Sequence, residues 1–327
     1  MDRRTFGGTL CGALASTAAG QAAAQPRGRL YKVGILTLGS DPARSGFWQR
    51  FLDAMRELRY VEGVNLSVMR EFADSDVERL PLLATELVRA DVDVIVVTST
   101  REALVAKRAT STIPIVITVA LDPVGDGLAA SLARPGGNVT GITGVVAGVS
   151  QKFVELLHQV VPSALRFAVI ITPSASSDEI RSELKAAAQP VGLTLSFVEV
   201  RSADDLDRAL QQAKSTGAEG IIAPLGSVTY SNRIRFVRLA LEQRLPGVYW
   251  HRDYVEAGGL MSYGPNALEL AVRTAYYADK ILQGTKASEL PIEQPTKFEL
   301  VINSKTATAL RLAIPQSLLL RADEVIR

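Results

Sequence analysis

Runs of β-branched residues that alternate with amphipathic segments constrain this chain more than any other feature. Ile113 to Val119 is such a run, and a strand that is apolar along its whole length is typical of a sheet buried on both faces. Such a sheet needs helices on both sides, and apolar residues at helical spacing predict an amphipathic helix over 46–59. Strands that alternate with helices in this way predict parallel sheets built from βαβ units.

The alternation runs through the chain twice, which predicts an α/β fold with two Rossmann-like parallel-sheet lobes. The chain has 327 residues, enough for two domains of ordinary size. Three connecting passes between the lobes are expected near residues 140–145, 256–260 and 290–296. The expected first lobe comprises residues 28–143 plus 260–289, and the expected second lobe comprises residues 144–259 plus 290–327.

The first 24 residues have the composition of an export signal. Arg3 and Arg4 precede a weakly apolar stretch, and small residues before position 25 predict cleavage near Ala24. The arginine pair resembles a twin-arginine signal. Asp2 and Gly7 depart from the usual pattern of that signal, so the general secretory route stays open.

The only cysteine, Cys11, lies inside this segment. Leu10 stands before it, where a lipid-attachment motif has a small residue, so a lipid anchor is not expected. Cleavage near Ala24 leaves a chain without cysteine, and its fold then depends on the core alone.

Several classes of function find no support in the composition. The formal net charge is +2, which gives no case for nucleic acid. Two histidines and one cysteine make a metal site unexpected, and no G-x-S-x-G motif is present. Gly125 to Ala130 mimics a dinucleotide-binding G-x-G-x-x-A motif, but no acid follows about twenty residues later. The sequence therefore predicts no cofactor, no metal and no catalytic residue.

Small and polar residues follow the predicted strands at their carboxyl ends. Open parallel sheets bind ligands outside this edge. The residues that we expect to contact a ligand are Gly39, Ser40, Ser99, Thr100, Asp122, Pro173, Ser174, Gly226, Ser227, Trp250 and Arg252.

Two of these positions predict the charge of the ligand. Ser99 and Thr100 begin a helix, where amides and hydroxyls hold a carboxylate; the alternative is a plain N-cap. Asp122 would pair with an ammonium group; the alternative is a turn that it forms with Pro123. A zwitterion satisfies both sites, so the sequence favours an amino acid.

For three further side chains the sequence leaves two possible environments open. Trp250 would form an apolar wall of the site or pack between the lobes. Arg252 would meet a ligand carboxylate or an acid of the protein surface. Trp48 is expected in the core or at the rim of the first lobe.

Eight phrases, in order along almost the whole chain after the signal, carry a resemblance to a known family. They occupy residues 60–63, 93–96, 112–116, 122–124, 131–141, 258–264, 290–303 and 314–326. The most distinctive are Ser-Leu-Ala-Arg-Pro-Gly-Gly-Asn-Val-Thr-Gly over 131–141 and Gly-Gly-Leu-Met-Ser-Tyr-Gly over 258–264. Together they are similar to ABC-transporter substrate-binding proteins of the tryptophan/tyrosine type. Ser304 and Arg311 depart from the family's pattern and lie far along the C-terminal part of the chain.

This resemblance implies a type I periplasmic-binding fold and a function. The expected protein is a monomer in the periplasm that captures a small molecule, an amino acid or related carboxylate, between its lobes. It would deliver this ligand to an ABC permease in the inner membrane, which works with its ATPase. The alternatives are a ligand-binding receptor for a membrane signalling partner and, more remotely, an exported α/β enzyme.

Overall fold

A computed structural model describes residues 29–39, 46–74, 76–144, 148–173 and 177–327. The expectations for the export signal, Cys11, Ser40 and Ser174 lie outside these residues. Within them, no helix combines the length and the apolar character that crossing a membrane would require.

Five strands form the first sheet, and every neighbouring pair in it is parallel. The order across the sheet is β2-β1-β3-β4-β5. The strands β3 and β4 are buried at every residue, as the β-branched runs predict. The five strands are β1 Tyr31–Thr37, β2 Leu66–Phe72, β3 Val94–Val97, β4 Ile115–Ala120 and β5 Val139–Thr143.

Four helices cover the first sheet, two on each face. Helix α1 packs against α10, which also contacts β3, β4 and β5, whereas α2 and α3 pack together on the other side. Trp48 is 5% exposed in α1, so it belongs to the core. The four helices are α1 Gly46–Glu57, α2 Leu80–Arg89, α3 Thr100–Ala109 and α10 Ala267–Leu282.

Seven strands form the second sheet in the order β12-β11-β10-β9-β8-β6-β7. They are β6 Arg166–Ile171, β7 Thr194–Glu199, β8 Gly220–Ala223, β9 Gly247–Tyr249, β10 Met261–Pro265, β11 Phe298–Asn303 and β12 Glu324–Ile326. The pair β10–β11 is antiparallel. The chain reaches β11 from the first lobe, at the carboxyl edge of the sheet, so β11 runs opposite to β10, and β12 then pairs in parallel with β11.

Within the residues that the structure describes, eight helices belong to the second lobe. They are α4 Val149–Val160, α5 Ser177–Ala188, α6 Asp205–Ser215, α7 Ser227–Ser231, α8 Arg233–Glu242, α9 Arg252–Glu256, α11 Ser304–Ala309 and α12 Gln316–Leu319. Short 3-10 helices occur at Val77–Arg79, Gln189–Val191 and Ala287–Glu289. Two mostly parallel sheets with helices on their faces confirm the predicted α/β class.

The second pass between the lobes lies later than the sequence predicts. Residues 256–260 were expected to cross, and residues 260–265 were assigned to the first lobe. Instead, β10 pairs with β9 and β11 in the second sheet, and the chain crosses at Asn266. Gly258, with φ of +105°, only ends α9 before the chain turns into β10.

The third pass also begins later, because residues before it are attached to the first sheet. The Glu293 amide donates to the Gly141 carbonyl at 2.9 Å, and the Thr143 amide donates to the Glu293 carbonyl at 2.8 Å. Arg273 of α10 donates from Nε to Glu293 Oε2 at 2.7 Å. The chain therefore leaves the first lobe only after Glu293 and enters β11 at Phe298.

One apolar cluster joins the two lobes. It contains Val119 and Ile142 of the first lobe and Phe153 and Trp250 of the second. The two lobes are therefore connected by apolar packing as well as by the three segments of the chain that pass between them.

Candidate ligand-binding cleft

Each sheet has one point where the strand order reverses. In the first sheet, β1 is followed by β2 on one side, while β3, β4 and β5 extend on the other. In the second sheet, the same reversal separates β6 from β8. Ligands of open α/β sheets bind in the crevice at such a point, outside the carboxyl ends of the strands. The two crevices are therefore at the ends of β1 and β3 and at the ends of β6 and β8.

A buried carboxylate connects the two strand ends of the first crevice. Glu102 is 2% exposed, and its Oε1 accepts from the Leu38 amide at 2.6 Å. Its Oε2 accepts from the Thr98 amide at 2.8 Å and from Thr98 Oγ1 at 3.1 Å. Burial raises the pKa of Glu102, although these hydrogen bonds oppose the rise.

Glu102 was not among the residues expected at the site, although the sequence contains a signal for it. Ser99 and Glu102 are spaced as the serine and glutamate of a capping box at the start of a helix. The glutamate of a capping box accepts from the amide of the N-cap residue. The Glu102 carboxylate accepts instead from the Thr98 amide, one residue before the N-cap, and from the Leu38 amide at the end of β1.

Ser99 is the N-cap that was its alternative role, whereas Thr100 has a role that the sequence did not suggest. Ser99 is the N-cap of α3, and its Oγ accepts from the Glu102 amide at 3.4 Å. Thr100 Oγ1 accepts from the Leu121 amide at 3.0 Å and so ties the start of α3 to the end of β4. Contact with a ligand stays a prediction for both residues.

Asp122 forms the turn that was its alternative role. Its Oδ1 accepts from the Gly125 amide at 2.8 Å and from the Val124 amide at 3.2 Å. A Cβ atom on Gly125 would lie 2.0 Å from Asp122 Oδ2, so a larger residue at 125 would displace this carboxylate. The carboxylate is half-buried, and its ammonium contact remains a prediction.

The predicted residues at the ends of β1, β6 and β8 occupy the expected edges. The Gly39 amide donates to Thr37 Oγ1 at 3.2 Å. Pro173 follows β6, and Gly226 and Ser227 begin α7 after β8. A Cβ atom on Gly226 would lie 2.8 Å from Thr172 Oγ1, so the ends of β6 and β8 are in close contact.

An aromatic cluster follows β8 and β9 at the edge of the second lobe. The rings of Trp250 and His251 stack with centroids 5.9 Å apart, and His251 meets Tyr230 edge-on at 5.3 Å. Trp250 is 5% exposed and belongs to the apolar cluster that joins the lobes, as its packing alternative predicts. Tyr230 was not identified from the sequence, because nothing there shows that α7 returns to the end of β9.

Arg252 is directed to acids of its own lobe. Its Nε donates to Glu256 Oε1 at 2.8 Å, and its Nη2 donates to Glu324 Oε2 at 2.7 Å. Its Nη1 donates to Glu299 Oε2 at 3.3 Å. These bonds correspond to the surface-acid alternative, and nothing in them directs the guanidinium toward the cleft.

Asp253 binds the polar atoms of two rings in the aromatic cluster, the Tyr230 hydroxyl and His251 Nδ1. Its Oδ2 accepts from the Tyr230 hydroxyl at 2.7 Å, and its Oδ1 lies 3.2 Å from His251 Nδ1. Burial works to raise the pKa of Asp253, but His251, Tyr230 and Arg233 lower it below its usual value of 3.8.

Replacement of Asp253 by asparagine is expected to destabilise the protein by about 2 kcal/mol at pH 7, since hydrogen bonds to charged groups contribute that much. The pKa of Asp253 is lower in the folded chain than in the unfolded chain. Its contribution is therefore complete above about pH 4 and is lost as the pH falls further. Urea unfolding of both proteins from pH 7 to pH 3 should show their difference shrinking in acid. Asp204→Asn, at an exposed position, is the control, and a difference that is as large at pH 3 as at pH 7 would contradict the assignment.

Comparison with known proteins identifies the family of this architecture. The model of the family described as ABC transporter substrate binding protein matches residues 32–326. A tyrosine-binding protein of Clostridioides difficile (strain R20291) is 25% identical over 279 residues, which are 85% of this chain and 80% of that protein.

Two solved structures are similar to this chain. An ABC domain from Streptococcus pneumonia in complex with L-Trp has a TM-score of 0.83 at 26% identity and covers 91% of this chain and 100% of its own. The ligand-free, open structure of a substrate binding protein with adhesive properties from Clostridium difficile has a TM-score of 0.65 at 25% identity and covers 91% of this chain and 99% of its own. The predicted two-lobe fold is thereby confirmed.

Proposed function

Because the chain belongs to the ABC transporter substrate-binding protein family, we propose that it captures an aromatic amino acid between its lobes and delivers it to an ABC permease. The observation that carries the choice of ligand is the similarity, over 91% of the chain, to a structure that holds L-Trp. The tyrosine-binding relative supports the same class of ligand. The proposal includes export to the periplasm, a monomeric receptor and no catalytic step.

The two edges of the cleft suit the parts of such a ligand. Ser99 and Thr100 stand at the N-terminus of a ten-residue helix, where amides favour a carboxylate. Asp122 directs Oδ1 into its own turn, which leaves Oδ2 as the oxygen for an ammonium group. The edge of the second lobe offers the rings of Tyr230, Trp250 and His251, which suit an aromatic side chain.

The arrangement of the lobes supports capture by closure. At nearly equal identity and coverage, the chain superposes better on the L-Trp complex than on the ligand-free, open structure. A ligand that touches both lobes favours the closed state only by its differential affinity for that state. A closing motion would change the backbone dihedral angles at the three crossings, which lie after Thr143, at Asn266 and after Glu293.

Calorimetric titration with the twenty amino acids tests the ligand. We expect L-tryptophan, L-tyrosine or both to bind. At a free concentration of 100 times the Kd, such a ligand stabilises the protein by about 2.7 kcal/mol. In thermal unfolding, this stabilisation should raise the Tm by roughly 5 °C for a chain of this size. L-leucine and D-tryptophan are the controls for ring and stereochemistry. Absence of binding by every amino acid would contradict the proposal.

Uptake of the labelled ligand tests the partner. Cells that lack this protein should lose high-affinity uptake, and restoring the protein should restore it. Unchanged uptake, with a lost response to the ligand, would instead indicate the receptor for a signalling partner.

A further inference from the structure

Glu102 is a buried charge at the edge of the cleft. Each of its oxygens accepts from a backbone amide, Leu38 to Oε1 and Thr98 to Oε2. Both oxygens accept from a backbone N–H, and a protonated carboxyl group would have to turn its O–H toward Thr98 Oγ1, reversing the third hydrogen bond. An ionised carboxylate accepts all three hydrogen bonds as they stand, even though burial disfavours the charge.

No cation of the described chain compensates this charge. Within residues 29–39, 46–74, 76–144, 148–173 and 177–327, Glu102 forms no ion pair. Lys107 lies on the same helix, but its Nζ donates to the Gly127 carbonyl at 2.5 Å and the Leu128 carbonyl at 3.3 Å. Arg101 follows Thr100 on the half-buried first turn and is not paired with Glu102 either.

The bonds of Glu102 also change what the first crevice offers to a ligand. The amides at the ends of β1 and β3 are the groups that would otherwise receive an anion there. Two of them, those of Leu38 and Thr98, already bind Glu102. A second acid, Asp122, stands at the end of the neighbouring strand β4. The ends of β1 and β3 are therefore less suited to an anion and better suited to a group that carries positive charge, next to the carboxylate site that we propose at the start of α3.

We propose that Glu102 is a specificity-determining residue whose charge makes the cleft prefer a ligand with an ammonium group over the same acid without one. The proposal rests on the proposed function and deepens it, because it assigns the selection for the amino group to a residue outside the ligand's direct contacts. Charge acts over distance in a poorly solvated site, so direct contact is not required. The low exposure of Glu102 protects this effect from screening by salt.

The test compares two ligands that differ in one group. L-tryptophan and indole-3-propionate share the ring and the carboxylate, and only the first has an ammonium group. Calorimetry gives the ratio of their Kd values for the wild-type protein and for Glu102→Gln. We expect the wild-type protein to prefer L-tryptophan and the variant to lose about tenfold of that preference, mainly through weaker binding of L-tryptophan. A purely structural role would weaken both ligands alike and leave the ratio unchanged, which would overturn the proposal.

Asp279→Asn is the matched control. Asp279 is 5% exposed and accepts from the Tyr60 hydroxyl at 3.0 Å, in the last turns of α10 and far from the carboxyl edge. This variant should lose stability but keep the ligand ratio. If Glu102→Gln does not fold, Glu102→Asp retains the charge and should retain the preference, and its loss there would also overturn the proposal. If neither ligand nor any amino acid binds the wild-type protein, the proposed function itself fails.

Discussion

Replacement of Gly264 by alanine is expected to destabilise the protein by more than about 4 kcal/mol and to abolish ligand binding. A Cβ atom at this position would lie 1.7 Å from the Trp250 carbonyl oxygen and 2.9 Å from its carbon. The clash is with backbone at the end of the adjacent strand β9, so no change of rotamer relieves it. Separation of β9 from β10 would disrupt the main-chain pairing and the packing of Trp250 together. Single substitutions lower the free energy of unfolding by this much only through a few mechanisms, and a clash that disrupts core packing is one of them.

Urea unfolding and calorimetric titration measure the two effects of Gly264→Ala. Gly137→Ala is the matched control, because a Cβ atom there meets nothing within 4 Å and the residue is exposed. The control should stay within about 0.5 kcal/mol of the wild-type protein. A Gly264→Ala protein with wild-type stability and affinity would show that β9 and β10 do not approach each other as described.

Replacement of Gly141 by alanine is expected to be equally severe in the first lobe. Its φ is +133°, a conformation that L-residues rarely adopt, and a Cβ atom would lie 2.0 Å from the Ile117 carbonyl oxygen. The Gly141 carbonyl also accepts from the Glu293 amide, so the substitution would disturb the first and third passes together. We expect a loss above about 4 kcal/mol and a chain that no longer closes on its ligand.

A second glycine separates the two causes of this effect. Gly63 also has a positive φ, of +80°, but a Cβ atom there meets nothing within 4 Å. Gly63→Ala should therefore cost only about 1 kcal/mol, as backbone strain alone does. If Gly141→Ala were no more destabilising than Gly63→Ala in thermal unfolding, the close contact with β4 would not exist.

The sequence was sufficient for the elements that depend on local pattern. The run at Ile113 predicted a buried strand, and β4 is buried at all six of its residues. The helix over 46–59 corresponds to α1. Periodicity could not show which sheet a strand joins, because that depends on pairing with strands distant in the chain. This is why residues 260–265 were assigned to the wrong lobe.

The cleft was predictable in position and less so in detail. Gly39, Ser99 and Gly226 follow strands, and the carboxyl-edge rule places them correctly. Glu102 escaped notice because its function depends on the closeness of Leu38, which is 64 residues away. For Arg252 the sequence left a ligand carboxylate and an acid of the protein surface open, and it could not show the ion pair with Glu324, which is 72 residues away.

The antiparallel strand β11 has a consequence for synthesis of the protein on the ribosome. Until β11 is made, β10 is an open edge of the second sheet, and until α10 is made, the first sheet lacks one of its covers. The first lobe is complete only when Glu293 has paired with β5, and the second lobe only when β11 and β12 have been added from Phe298 onwards. A nascent chain that stops before these residues presents exposed strand edges, which favour aggregation and proteolysis.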